Sequence, residues 1–104
     1  MTLNLDLSGR TALITGSGQG VGHGLAQSFA AAGAEVLVND LRAERAEEVA
    51  AEVRAAGGSA RALPFDVTDP DGVHQAVQSV PEVDILVNNA GNAGPSGFGV
   101  RARF

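Results

Sequence analysis

The chain has no cysteine, no tyrosine and no lysine. Without cysteine there can be no disulfide, no thiolate metal site and no cysteine nucleophile, although this leaves the compartment open. Without lysine there is no Walker-type phosphate loop, which requires one after its glycines. Basic residues are few, seven against twelve acids, and the net charge of −5 argues against nucleic acid or an anionic membrane surface as partner. No apolar run approaches membrane-spanning length, and MTLNLDLSGR lacks the basic and apolar regions of a secretory signal. A cytoplasmic protein is expected. With no cysteine and no clustered carboxylate near His23 or His74, both read as solvent-facing, and no metal is expected.

What the chain does have is glycine, arranged with purpose. In Thr11–Ala32 an apolar run, Ala12-Leu13-Ile14, gives way to Gly16, Gly18, Gly20 and Gly22. A helical stripe follows at Val21, Leu25, Phe29 and Ala32. Strand, glycine turn and helix together aim a backbone at a phosphate, because the first N–H groups of a helix are unpaired and its dipole is positive there. The common fingerprint G-x-G-x-x-G fails in every register: starting at Gly16 it would need glycine at Val21, and starting at Gly18 at His23. Thr-Gly-x-x-x-Gly-x-Gly fits, on Thr15, Gly16, Gly20 and Gly22.

Along the chain, Glu35–Asn39 reads as a second buried strand ending at Asp40. Ala43–Ala56 reads as a second helix with a stripe at Ala46, Val49, Ala50 and Val53 and a solvated acidic face. Ala60–Phe65 is a third strand, closing at Asp66-Val67. Thr68 or Asp69 caps a third helix with Pro70 at its first position. Asp84–Asn88 is a fourth strand, running into Asn89-Ala90-Gly91, and Asn92–Phe104 reads as loop. Phe29 and Phe65 are expected in the core. This alternation implies parallel strands joined by right-handed crossovers. The fold class is therefore α/β: a Rossmann-type doubly wound parallel sheet, incomplete, with four strands in order 3-2-1-4 and three helices. Two helices fall on one face, leaving one short helix for the other, too little to cover four strands. The bare apolar face is expected to make the isolated chain marginal or aggregation-prone.

Thr15, Gly16, Gly20, Gly22, Asp40, Asp66-Val67 and Asn88-Asn89-Ala90-Gly91, in this order and approximate spacing, resemble the short-chain dehydrogenase/reductase family. The resemblance implies that Gly16, Ser17, Gly18, Gln19, Gly20 and Val21 line the pyrophosphate and adenosine side of a dinucleotide. It also implies that Asp66 bonds the adenine amino group, that Val67 offers its backbone, and that Asn88–Gly91 pack beside the adenosine ribose. Asp40, 20 residues beyond Gly20, stands where a carboxylate grips both ribose hydroxyls and repels a 2′-phosphate. Gln19 and Leu41 are neutral where a basic residue would favour NADP, so NAD is the expected cofactor and NADP the lesser one, with Arg42 and Arg45 nearby.

The family's hydride transfer uses a tyrosine, a lysine and a serine, and the first two are missing. No catalytic residue is assigned. The chain resembles the N-terminal part of a longer enzyme, with residues 1–91 as the NAD(P)-binding half and 92–104 as a glycine-rich tail. The complete enzyme is expected to be a homo-oligomer acting on a small alcohol or carbonyl compound. Gly24 departs from the pattern, sitting where a better helix former is expected. Two other readings stand beside this one: a non-catalytic nucleotide-binding module, and a part of an S-adenosylmethionine-dependent methyltransferase. The latter normally wants an acid just before its glycines, where this chain has Leu13-Ile14-Thr15.

Overall fold

The computed structural model describes residues 6–89. Its elements are β1 (Thr11–Ile14), α1 (Gly20–Ala31), β2 (Glu35–Val38), α2 (Ala43–Ala55), β3 (Ser59–Ala62), α3 (Pro70–Gln78) and β4 (Ile85–Val87). The strands form one parallel sheet in the order β3-β2-β1-β4, as expected from the alternation of strand and helix patterns.

Side chains alternate across a strand, so each apolar run serves two faces. Ala12, Ile14, Val36 and Val38 face α1 and α2 and form the main core with Ala26, Ala46, Val49, Ala50 and Val53. Leu13 and Leu37 point the other way, against Val80 and the half-buried Leu63, Phe65 and Val83. The third helix contributes little: α3 has no buried residue, and Leu86 of β4 is 54% exposed. Its start is well defined, because the Asp69 carboxylate accepts from the Asp71 N–H at 3.2 Å with Pro70 in the first turn. Asp84, expected within the fourth strand, instead precedes it and clamps it. Its carboxylate accepts from the Thr11 N–H and its own N–H donates to the Thr11 carbonyl, both at 2.8 Å.

Three further expectations are corrected. Val21 does not join the buried stripe of α1 but is 75% exposed, because the first turn of the helix lines an open groove rather than the sheet. The third strand stops at Ala62, so Phe65 lies beyond the sheet, half-buried on its second face rather than in the core. His23 is not simply solvent-facing: its Nε2 lies 2.8 Å from Glu52 Oε1, joining α1 to α2. Phe29 is half-buried against the main core.

The register aligns the strand ends. Ile14 pairs with Val38 and Val87, and Val38 with Ala62. The residues one step on, Thr15, Asn39, Leu63 and Asn88, therefore form a rim along the carboxyl edge of the sheet, polar except at Leu63.

Candidate nucleotide-binding groove

A groove of about 610 Å³ opens on that rim, within the range of natural ligand sites. It lies where strand order reverses, which is where open α/β sheets bind ligands. Of the residues selected from sequence, Gly16, Gln19, Gly20, Val21, Asp40, Leu41, Asp66, Val67 and Asn89 line it. A smaller cavity of about 370 Å³, lined by Gln27, Val53 and Gly58 among others, lies between α1 and α2 and includes no residue of the rim.

The glycine turn is built for access. Gly16 and Gly20 both have φ of 62°, a left-handed conformation that glycine adopts without strain. A turn bond into α1 runs from the His23 N–H to the Gln19 carbonyl at 3.2 Å. The N–H groups of Gly20, Val21 and Gly22 precede it and have no carbonyl four residues back within the helix. The first turn of α1 carries no acid, so nothing there opposes the positive dipole end.

Gly22 allows the helix to sit close to the turn. A Cβ at that position would collide with the Gly16 carbonyl and lie 2.6 Å from Asn89 Nδ2. Asn89 itself fastens the turn to the fourth strand end: Nδ2 donates to the Gly16 carbonyl at 3.2 Å, and its N–H donates to Thr15 Oγ1 at 2.9 Å. The Thr15 hydroxyl in turn faces the Asn88 Oδ1 and the Val87 carbonyl, at 3.3 and 3.4 Å.

Asp40 is 7% exposed. Its Oδ1 accepts from the Arg42 N–H at 2.9 Å, which shapes the entry to α2, and the carboxylate lies over Gly18. A carboxylate offers about four acceptor positions, so one backbone bond leaves capacity for hydroxyls in the groove. Across from it, the exposed Asp66 Oδ1 accepts from both the Thr68 N–H (2.8 Å) and the Thr68 hydroxyl (2.7 Å). These bonds, the hydroxyl first and the amide second, hold the Asp66 carboxyl below the usual carboxylate range.

Some selected residues stand apart from the groove surface. Ser17 is fully buried, its hydroxyl donating to the Ile14 carbonyl and its N–H to the Asn39 carbonyl, both at 2.7 Å. Thr15, Gly18, Gly22 and Asn88 support the lining without forming it. Ala90 and Gly91 lie outside the described residues, as do Phe98 and Phe104 of the tail.

The groove also recruits residues that sequence reasoning did not select as site residues. Asn39, Arg45, Phe65 and Thr68 line it. Asn39 carried a signal, as a polar residue ending an apolar run that is buried on both faces. It is 1% exposed; its Oδ1 accepts from the Gly16 N–H and its Nδ2 donates to the Leu63 and Phe65 carbonyls, each at 3.1 Å. Thr68 was a candidate helix cap, but Asp69 does the capping and Thr68 serves Asp66.

Comparison with known proteins agrees with this geometry. A family model described as short chain dehydrogenase matches residues 10–101. The chain is 43% identical over 99 residues to 7alpha-hydroxysteroid dehydrogenase of Escherichia coli K12, covering 91% of this chain and 39% of that protein. It is 42% identical over 89 residues to 5-keto-D-gluconate 5-reductase of the same organism, covering 82% of this chain and 35% of that protein. Among solved structures, 7alpha-hydroxysteroid dehydrogenase complexed with NADH and 7-oxo glycochenodeoxycholic acid superposes with a TM-score of 0.79 at 44% identity, over 88% of this chain and 38% of that one. A gluconate 5-dehydrogenase from Burkholderia cenocepacia in complex with NADP and tartrate gives a TM-score of 0.79 at 43% identity, over 85% of this chain and 36% of that one. The chain thus spans less than two-fifths of the length of these relatives.

Proposed function

This chain belongs to the short chain dehydrogenase family, and we propose that its residues up to 91 bind NAD for a hydride exchange with an alcohol or carbonyl compound in the complete enzyme. The observation that carries this reading is one groove joining a bare helix N-terminus, Asp40 and Asp66. The residues present fit a dinucleotide. The open N–H groups at Gly20–Gly22 suit the diphosphate, with no acid in that turn to repel it. Asp40 takes the adenosine ribose hydroxyls, and Asp66, held ionised by Thr68, accepts from the adenine amino group. When bound, the nicotinamide supplies the hydride acceptor or donor.

NAD is favoured over NADP because the Asp40 carboxylate repels a 2′-phosphate and the neighbouring Gln19 and Leu41 are neutral. Within this chain the named groups bind and orient. With no tyrosine or lysine, none is assigned to proton transfer. The family resemblance further suggests a cytoplasmic homo-oligomer for the complete enzyme. Among the described residues, no helix is long and apolar enough to cross a membrane.

Calorimetric titration of the chain with NAD, NADP and S-adenosylmethionine tests the reading. NAD binding at least tenfold tighter than NADP is expected. NADP binding tighter than NAD overturns the cofactor preference, and binding of S-adenosylmethionine without NAD overturns the function.

A further inference from the structure

We infer that Asn39 is a positioning residue that couples the phosphate half of the groove to its adenine half through a single side-chain amide. The inference rests on the NAD-binding reading above and adds a role to a residue whose own contacts are internal. Three loops must keep fixed spacing for a dinucleotide to be held at both ends: the glycine turn after β1, the end of β2 with Asp40, and the segment after β3 with Asp66. The parallel ladder fixes the strands only as far as Ile14, Val38 and Ala62. Beyond that row single backbone bonds follow, from the Thr15, Asn39 and Leu63 N–H groups to the Val87, Ile14 and Val38 carbonyls. None of these three joins the glycine turn to the segment after β3, so those loops need another tie.

Asn39 supplies it. Its Oδ1 accepts from the Gly16 N–H on one side, and its two Nδ2 protons go to the Leu63 and Phe65 carbonyls on the other. Its main chain is held as well: the carbonyl accepts from the Ser17 N–H at 2.7 Å, and the N–H lies 3.1 Å from Ser17 Oγ and 3.3 Å from the Ile14 carbonyl. The next residue is Asp40. Displacing Phe65 therefore pulls on the same amide plane that holds Gly16, and a ligand that fixes one loop restrains the other. Because the Gly16 N–H is spent on Asn39, the diphosphate is left to the helix N-terminus proper.

The isosteric change Asn39→Asp separates the two halves. It keeps an acceptor for the Gly16 N–H but turns an oxygen toward two carbonyls, which repels the Phe65–Asp66 segment while the new carboxyl is ionised. When protonated, the same group regains one donor. The expected result is NAD affinity reduced at least tenfold at pH 8 and recovering at least threefold by pH 5, against a wild-type profile that changes less than twofold. Far-UV circular dichroism at each pH establishes that the variant is folded. Equal NAD affinity of folded variant and wild type at pH 8, or a reduced affinity with no recovery at pH 5, overturns the proposal.

If the variant does not fold, the unaltered chain gives the answer. Saturation with ADP is expected to slow exchange of the Asn39 Nδ2 protons at least fivefold by NMR. An unchanged rate in the saturated chain overturns the coupling. Absence of any NAD or ADP binding by the wild type is a different outcome, because it removes the functional reading on which the coupling stands.

Discussion

The Asp40 carboxylate lies so close to the Cα of Gly18 that a methyl group on Gly18 would overlap Oδ2 and come within 2.8 Å of Cγ. The acid that ends β2 and the turn that follows β1 are thus packed in direct contact, although 22 residues separate them in the chain. The same methyl would meet Arg45 Cβ at 2.9 Å, so the first turn of α2 belongs to the same contact.

Gly18→Ala is therefore expected to push Asp40 out of position. Overpacking of this kind costs about 1–3 kcal/mol of stability. NAD affinity is expected to fall at least tenfold while the far-UV spectrum is retained. Thermal unfolding and calorimetric titration measure the two effects separately.

Gly24→Ala has the opposite sign. A Cβ at Gly24 meets nothing within 4 Å, and the residue is exposed inside α1. Alanine is expected to add about 1 kcal/mol through helix propensity alone. For a domain of this size that raises Tm by about 4–8 °C, with NAD affinity unchanged. A thermal scan checks it.

Thr15→Val removes the acceptor that the Asn89 N–H uses at 2.9 Å and keeps the shape of the side chain. A fully buried donor left without its partner costs about 1–3 kcal/mol, which is an upper bound for this part-buried bond. Denaturant unfolding is expected to show a loss toward the low end of that range. Hydrogen exchange should show the Asn89 amide losing protection more than the amides of α2.

The pH dependence of the loop after β3 follows from Asp66. Its carboxyl lies below the usual carboxylate range because the Thr68 hydroxyl and then the Thr68 amide donate to it. A lowered folded-state value means that the stabilisation is fully present above the ordinary aspartate range near pH 4 and is lost as the pH falls through the lowered value. Thr68→Val removes the larger of the two causes. The Asp66 titration, followed by carboxyl 13C shifts, is expected to move up toward the ordinary value, and the loop to loosen at a higher pH than in the wild type.

Much of this molecule was legible in the linear chain. The continuous burial of Ala12-Leu13-Ile14 and Val36-Leu37-Val38, the stripe at Ala46, Val49, Ala50 and Val53, and the Asp69-Pro70 helix start were each readable from neighbours a few residues away. Local spacing sufficed for them, and alternation then led to a parallel sheet and its strand order. The glycine pattern and the acid 20 residues beyond Gly20 marked the groove in advance.

Assembly alone decided which polar groups face the groove and which hold it together. Ser17 and Asn39 look like site residue and strand residue in the sequence, yet Ser17 is buried with its donors turned inward and Asn39 bonds to two loops beyond its own. Val21 matches the spacing of a core position and lies in the open. Periodicity tells which face of an element a side chain occupies. What stands opposite that face depends on chain that returns twenty to seventy residues later, as Asn39 meets Gly16 and Asn89 meets Thr15.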